Sequence, residues 1–598
     1  MDSLNNAINF INGLLFHEYV LYILLFTGLV FTIWTGVGQW RALTHGVAVV
    51  RGKYDESNDP GAINHFQALS TALSATVGLG NIAGVGVAVA LGGPGAVFWM
   101  WIIGALGMAL KMTEVTQSML FRNTSDPQNP HGGPMFVAKY GFARWGVPGV
   151  GTAIGGLFVI TLLISAITGG NMFQAWNVAD TTFSYFGINQ LVTGVILAIV
   201  VGAVIIGGIK VIGRVASFIV PFMCAIYLIA AFWVLGKNIA DVPALLGLIV
   251  KSGLPEFLGG SSAAPEGAFL GGTAGYAMMW GIKRALFSSE SGQGSAPIAH
   301  SAARTDEPVR EGVVAGLEPF IDTIVVCTLT ALVILSSGAF NREAEATFGT
   351  GDAIAIVAGE DPGEWTIQTP PLPDKTADAR RIQGIGDDER NWKDGETIFV
   401  RVQAQEDANT GRDIRKIGGT VRLDGETANV EWGTVESDTQ PVLLPAADDG
   451  LGVYGEYAGS TLTAHAFDRV TPGLGKVMVS LAVWLFAIST MISWSYYGEQ
   501  GVVYLFGDNK IAVLIYKVVY CAVILLTCIP GLFTTDADLD MWTSLGLGVM
   551  LIVNIPLMWI FAPQAMKAYR DYFRRHKAGP MHDEIQPDGT TPEGRSEA

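Results

Sequence analysis

The chain has 598 residues, 50% of them hydrophobic and only 15% charged, with a formal net charge of −17 at pH 7. Soluble globular chains carry about 25% charged residues, so this composition excludes an ordinary soluble protein. The excess of acid, with no interleaved basic and aromatic patch, excludes a nucleic-acid-binding surface.

Apolar runs of about 20 residues, the length that crosses a bilayer, recur along the chain. Eleven are predicted, near 19–40, 68–91, 94–121, 147–169, 190–209, 213–236, 267–287, 311–338, 471–497, 511–530 and 540–562. An odd number puts the termini on opposite sides. Arg41, Arg51, Lys53, Arg122, Lys139, Arg144, Lys210, Arg214, Lys510 and Lys517 fall in alternate connections, while residues 92–94 carry no base and 531–540 carry only acids. Basic connections stay inside, so the N-terminus is expected outside and the C-terminus inside. The first run is read as a span and not a cleaved leader, because residues 1–16 lack a basic start and the run ends in Arg41.

The second run contains Ser74-Ala-Thr-Val-Gly-Leu-Gly-Asn-Ile-Ala-Gly-Val-Gly86. Each glycine inside a helix costs about 1 kcal/mol against alanine. Within lipid, broken helices persist only where the freed backbone is buried in protein or lines a cavity. Carriers use such breaks to bind substrate and ions near the midplane. The competing reading is close helix packing through Gly80-x-x-x-Gly84. Gly78-Leu-Gly-Asn-Ile-Ala83 also matches a dinucleotide-binding pattern, but no soluble strand precedes it and no acid follows at the required distance.

Further along, Lys111 and Glu114 share one helix face, and Glu318 and Asp322 share another. Ionisable groups inside a membrane are functional suspects. Pairing between helices is the simpler expectation, with Lys283 or Arg284 as candidate partners. Gln174, near the outer end of the fourth span, either donates to a substrate carboxylate or satisfies backbone. The seventh span opens with Gly271-Gly-Thr-Ala-Gly275 and leads into the Gly/Ser-rich stretch 287–297. Spans two and seven would open two five-helix halves of opposite direction, and paired Gly-rich interruptions in corresponding spans point to a carrier site.

Residues 339–468 form the one long soluble stretch, with 25 acidic and 11 basic residues. Alternation in 396–404 and 419–425 predicts short strands. The stretch is expected to be a solvated, β-rich, extracytoplasmic insert. Asp448-Asp449 lacks the spaced oxygen ligands of a Ca²⁺ loop. Removal of residues 350–462 is expected to leave transport working, because loops tolerate insertions. Ser489 and Thr490, mid-span, offer hard oxygen ligands to a small cation, or back-bond to carbonyls one turn earlier. The cysteines Cys224, Cys327, Cys521 and Cys528 all lie in apolar runs and are expected to pack as small hydrophobes. No nucleophile elbow, zinc helix or phosphate loop is present, so the chain is read as no enzyme.

Several stretches resemble the alanine/glycine:cation symporter family (sodium:alanine symporters). They are Gly92-Gly-Pro-Gly-Ala-Val-Phe-Trp-Met-Trp-Ile-Ile-Gly-Ala-Leu-Gly-Met-Ala109, Gly80-Asn-Ile-Ala-Gly84, Gly294-Ser-Ala-Pro-Ile-Ala-His300, Glu318-Pro-Phe-Ile-Asp-Thr323 and Ser493-Trp-Ser-Tyr-Tyr-Gly-Glu499. The resemblance covers residues 15–338 and 469–565. It implies an all-α, multi-pass protein of the plasma (inner) membrane, with two inverted five-helix repeats of the LeuT type after one extra helix. It also implies uptake of small neutral amino acids such as alanine or glycine, coupled to Na⁺ and sometimes to H⁺. Gly78, Leu79, Gly80, Asn81, Gln174, Gly275, Tyr276 and Trp494 would then contact substrate, and Ala75, Gly78, Ser489 and Thr490 would hold Na⁺. The family pattern has Thr where Leu79 stands and Asn-Glu-Ala-Gly-Leu-Gly where Ser289-Glu-Ser-Gly-Gln-Gly294 stands. The expected division is a membrane domain in two parts, 1–338 and 469–565, the insert 339–468 and a polar tail 566–598. A receptor sensing through the insert, a channel, and an uncoupled permease are the alternatives; oligomeric state is left open.

Overall fold

Length and apolarity carry through to helices. A computed structural model describes residues 2–15, 17–56, 58–255, 258–260, 274–349, 351–383, 392–405, 413–425, 427–446, 450–457, 459–530, 532 and 536–578. Among them, eight helices are long and apolar enough to cross a membrane: Phe10–Trp34, Gly95–Phe121, Pro148–Phe186, Gly208–Lys237, Pro308–Ser336, Leu474–Phe506, Lys510–Thr527 and Met541–Ala578. His65–Thr76 and Gly80–Gly92 form a ninth that is bent by 53°.

The other two predicted runs fold as 16-residue helices, Gln190–Ile205 and Ala274–Ser289. Sixteen residues rise about 24 Å, short of the hydrocarbon thickness. The expected eleven spans therefore become eight or nine by length and composition. The reason is local. Gly207 and Gly208, the latter at φ +66°, turn the chain just after Gln190–Ile205. Residues 261–273, which would extend the seventh run, lie outside the described residues, as do Gly271, Asp448 and Asp449.

The polarity of the helical body is that of a membrane protein turned outward. Phe218 is 73% exposed and Ile199 66%, whereas Lys111, Glu311, Glu318 and Asp322 are fully buried. Apolar outer faces suit lipid, and buried ionisable groups must find partners inside. Lys111 Nζ lies 3.2 Å from Glu318 Oε2, so the expected pairing joins spans three and eight. Lys283 and Arg284 instead stand over the Trp280 ring, at 5.3 and 5.4 Å.

The acidic stretch folds into two small antiparallel sheets. Nine strands are described: β1 (Ala346–Phe348), β2 (Ala355–Ala358), β3 (Glu364–Gln368), β4 (Thr397–Gln403), β5 (Ile414–Asp424), β6 (Thr427–Trp432), β7 (Val435–Glu436), β8 (Val442–Leu443) and β9 (Leu451–Gly455). One sheet runs β1-β9-β4-β5-β6 with β8 on β4, and the other runs β2-β3-β7. The alternation read in 396–404 matches β4, whose Val400 pairs with Ile417 of β5. Val400, Val402, Ile417 and Val421 fill the sheet's own core. Phe399, on the opposite face, packs with Tyr454 against Leu91 of the bent span.

Arg342 fastens the foot of the insert. Its guanidinium donates to the carbonyls of Ala339 and Gly455 and covers the Tyr457 ring at 4.9 Å. Tyr457 stacks on His465 at 4.0 Å. Burial, then the charges of Arg342, Arg469 and Lys375, hold the His465 imidazole well below its ordinary range.

Candidate functional site

The break in the second span follows from its residues. Asn64 and Gln67 form a reciprocal cap that starts His65–Thr76. At the other end Val77 turns extended, at ψ 93°, and helical structure resumes at Gly80. The Gly78 amide donates to Asn81 Oδ1 at 2.9 Å. Asn81 Nδ2 donates in turn to Ser288 Oγ at 2.9 Å and to the Asp322 carbonyl at 3.1 Å. Asn81 is fully buried behind the break and pins the two interrupted helices together.

The break opens onto a cavity of about 360 Å³. Ala75, Gly78, Leu79 and Gly80 line it, together with Gln174, Thr490 and Trp494. Gln174 Nε2 donates to the Gly169 carbonyl at 3.1 Å, while its Oε1 is buried with no partner among the described residues. The nitrogen thus takes the backbone-satisfying role, and the oxygen left over is an acceptor, which cannot donate to a substrate carboxylate. Gly170 lets Trp494 close on the cavity, since a Cβ there would stand 2.3 Å from the Trp494 Cβ.

Four hydroxyls meet beside the cavity. Thr490 Oγ1 lies 3.1 Å and Ser489 Oγ 3.3 Å from the Ser74 carbonyl, and Ser74 Oγ is 2.8 Å from Ser493 Oγ. Ser489 also back-bonds to Phe486 O at 2.9 Å. Hydroxyls rotate, each offering lone pairs to a cation in place of the hydrogen bond it now donates. The donor set is all oxygen and suits a hard cation. Thr490 lines the cavity and Ser489 lies behind it.

The profile described as "Sodium:alanine symporter family" matches residues 1–366 and 442–586. The chain belongs to this family. The sodium/alanine symporter AgcS of Methanococcus maripaludis is 42% identical over 335 residues, 56% of this chain and 71% of that protein. The putative sodium/proton-dependent alanine carrier protein YrbD of Bacillus subtilis is 29% identical over 573 residues, 95% of this chain and 92% of its own. The sodium/proton-dependent alanine carrier protein of Bacillus sp. strain PS3 is 28% identical over 535 residues, 89% and 92%. Membership makes the chain a multi-pass membrane transporter and not an enzyme. The family profile skips 367–441, which contains β4 to β7.

Membership does not settle which side chains meet the cavity. Gly275 and Tyr276 do not line it; Tyr276 packs edge-on against Trp280 with centroids 6.2 Å apart. The same helix reaches the cavity through Arg284 and Phe287. Eight residues separate Tyr276 from Arg284, a rise of about 12 Å along a helix. Glu290, just past that helix, also lines the cavity, is 4% exposed and has φ +51°. Sequence reading passed over it, although an acid beside Gly292 and Gly294 in an apolar run was the available signal.

Gly459, which caps the helix Ser460–Val470, and Ser460, its first residue, line the cavity too. Thr463 Oγ1 bonds the Ile82 carbonyl at 3.1 Å. A deletion through 462 would thus remove cavity wall as well as insert. Phe348 pairs with Leu451, so excising 350–449 with a short Gly/Ser linker leaves a closed β1–β9 hairpin. Uptake by that variant should stay at roughly half of the parent rate or better, because surface loops tolerate deletion, and extending the cut to 462 should abolish it. Radiolabelled uptake in proteoliposomes checks both, and loss of uptake in the shorter, correctly inserted variant would show that the sheets themselves take part.

Proposed function

We propose that this chain carries a small neutral amino acid such as alanine or glycine into the cell, coupled to Na⁺ or H⁺ moving the same way. Alternating access would come from two inverted five-helix repeats of the LeuT type, with the N-terminus and insert outside and the C-terminus inside. The observation that carries this reading is the shared wall at Gly78. There the broken backbone lines the cavity, and an added Cβ would lie 3.0 Å from Thr490 Oγ1. The N-terminal end of the half-helix beginning at Gly80 supplies positive dipole for a substrate carboxylate. Gln174 and Glu290 line the same space, and their oxygens are of the type that suits an ammonium. Thr490 and Ser489, with backbone oxygens at Ala75 and Gly78, would hold Na⁺. The names of the relatives, carriers of alanine with sodium or protons, agree with it. In proteoliposomes, labelled alanine should accumulate only with an inward Na⁺ or H⁺ gradient. Equal accumulation with both gradients collapsed would overturn coupling and leave an uncoupled permease.

A further inference from the structure

Behind the cavity wall lies a chain of buried ionisable side chains, from Asp55 to Lys111, that the site above does not use. It starts at Asp55, whose side chain is 46% exposed and whose Oδ1 lies 3.8 Å from His65 Nε2. His65 Nδ1 hydrogen-bonds Glu311. The other Glu311 oxygen is 2.5 Å from His300 Nδ1, and His300 Nε2 is 2.6 Å from Glu318 Oε1. Glu318 Oε2 then meets Lys111. His65, His300, Glu311, Glu318 and Lys111 are all buried to within 1% exposure.

Every helix packed on the short helix Ala296–His300 adds a group to this set. Gly95–Phe121 brings Lys111 and Glu114, with Arg122 just beyond it; His65–Thr76 brings His65; Pro308–Ala315 brings Glu311 and Arg310, the latter turned to Glu56 and Asp59; Leu474–Phe506 brings Tyr497. Glu290 and Asp322 lie within the field of Lys111. Arg122 is engaged by main chain, donating to the carbonyls of Ser301 and Ala303. Five carboxyl groups (Glu114, Glu290, Glu311, Glu318 and Asp322) thus face three bases (Lys111, His65 and His300). Fully ionised, the five acids outnumber the three bases by two, and Arg122, in the field of Glu311, offsets one of these; a surplus negative charge in a dry interior costs several kcal/mol. Glu114 Oε1 and Asp322 Oδ2 are buried without a hydrogen-bond partner among the described residues, as a carboxyl oxygen carrying a proton or awaiting one would be. The cluster also touches the cavity at two points. Glu290 lines it, and the Asp322 carbonyl holds Asn81, which holds the Gly78 amide.

We propose that this cluster is a proton-binding relay centred on His300, running from Asp55 to Glu318, and that amino-acid binding in the cavity changes the number of protons it holds. The inference rests on the carrier reading above and adds the place where a proton is held. A proton arriving at His65 Nε2 frees the Nδ1 proton to Glu311. Glu311 passes one to His300 Nδ1, and His300 Nε2 passes one to Glu318. Each step forms one N–H or O–H bond and breaks one, so one proton moves and nothing else changes.

Calorimetry of alanine binding to the purified full chain in saturating NaCl tests this. The titration is repeated in buffers of different ionisation enthalpy, from mildly acidic to mildly alkaline pH. The apparent enthalpy should vary with buffer over a bounded pH range, giving close to one proton exchanged per alanine. His300→Gln and Glu318→Gln should each remove that dependence while alanine affinity falls by less than about tenfold. A buffer-independent enthalpy of the parent chain at every pH overturns the relay, even if neither variant folds, and leaves the carrier reading standing. Proton exchange that survives in both variants also overturns it. Absence of any alanine or glycine binding, together with absence of gradient-driven uptake, removes the carrier reading and the relay with it.

Discussion

Replacing Ser489 and Thr490 together by alanine should raise the Na⁺ concentration for half-maximal alanine uptake by at least tenfold, equivalent to about 1.4 kcal/mol. Both hydroxyls point at the Ser74 carbonyl, 3.3 and 3.1 Å away, from the middle of a 33-residue helix. A hard cation in that cluster loses two direct oxygens in the double variant, and methyl groups cannot replace them. The back-bonding alternative predicts otherwise. Ser489 reaches Phe486 O at 2.9 Å, and losing such a bond inside a helix is close to neutral. Sodium titrations of uptake and melting of the same preparations separate the two. Unchanged sodium dependence in folded protein would leave back-bonding as the whole role of the pair.

Gly80→Ala and Gly86→Ala should fail in opposite ways. A Cβ at Gly80 would meet Phe287 O at 3.6 Å, an ordinary contact, whereas one at Gly86 would lie 2.4 Å from Gly459 O. The second clash is with backbone and must push the helix Ser460–Val470 away, an overpacking cost of about 1–3 kcal/mol. Gly86→Ala should therefore lower the melting temperature by several degrees. Gly80→Ala should melt close to the parent and bind alanine about tenfold more weakly, because Gly80 lines the cavity and an added methyl there takes up room beside the break. Near-parent alanine binding by Gly80→Ala, with a large loss of melting temperature, would return that glycine to a packing role. Gly80 and Gly84 both face the helix Ala274–Ser289, where a Cβ would meet Phe287 O at 3.6 Å and Arg284 Cδ at 3.8 Å, and the tighter approach is at Gly86.

The break was legible because glycine inside an apolar helix is costly, and a clustered cost marks where the helix must end. The structure ends it at Thr76, inside the run singled out. The alternation around Val400 was legible for the same reason of period. What sequence could not place was lateral: which residues of a helix face the cavity when the whole helix is apolar. Without a polar stripe, Tyr276 and Arg284 look alike in orientation. The insert's edge was hidden as well. Helix Ser460–Val470 mixes polar and apolar residues, as a surface helix does, yet Leu462, Thr463 and Phe467 are buried against the membrane body. The partner of Lys111 was 207 residues away and carried no local signal.

One rod of helix, Leu474–Phe506, carries Ser489, Thr490 and Trp494 within about two turns. Across from it, Gly78 lines the cavity and abuts the Thr490 hydroxyl. A cation at Thr490 and an amino acid at Gly78 would then fix the same two pieces of backbone against each other. Whichever arrives first meets part of the cost of ordering that seam, and the other binds to a surface already formed. Linkage makes the gain mutual: the factor by which sodium tightens alanine must equal the factor by which alanine tightens sodium.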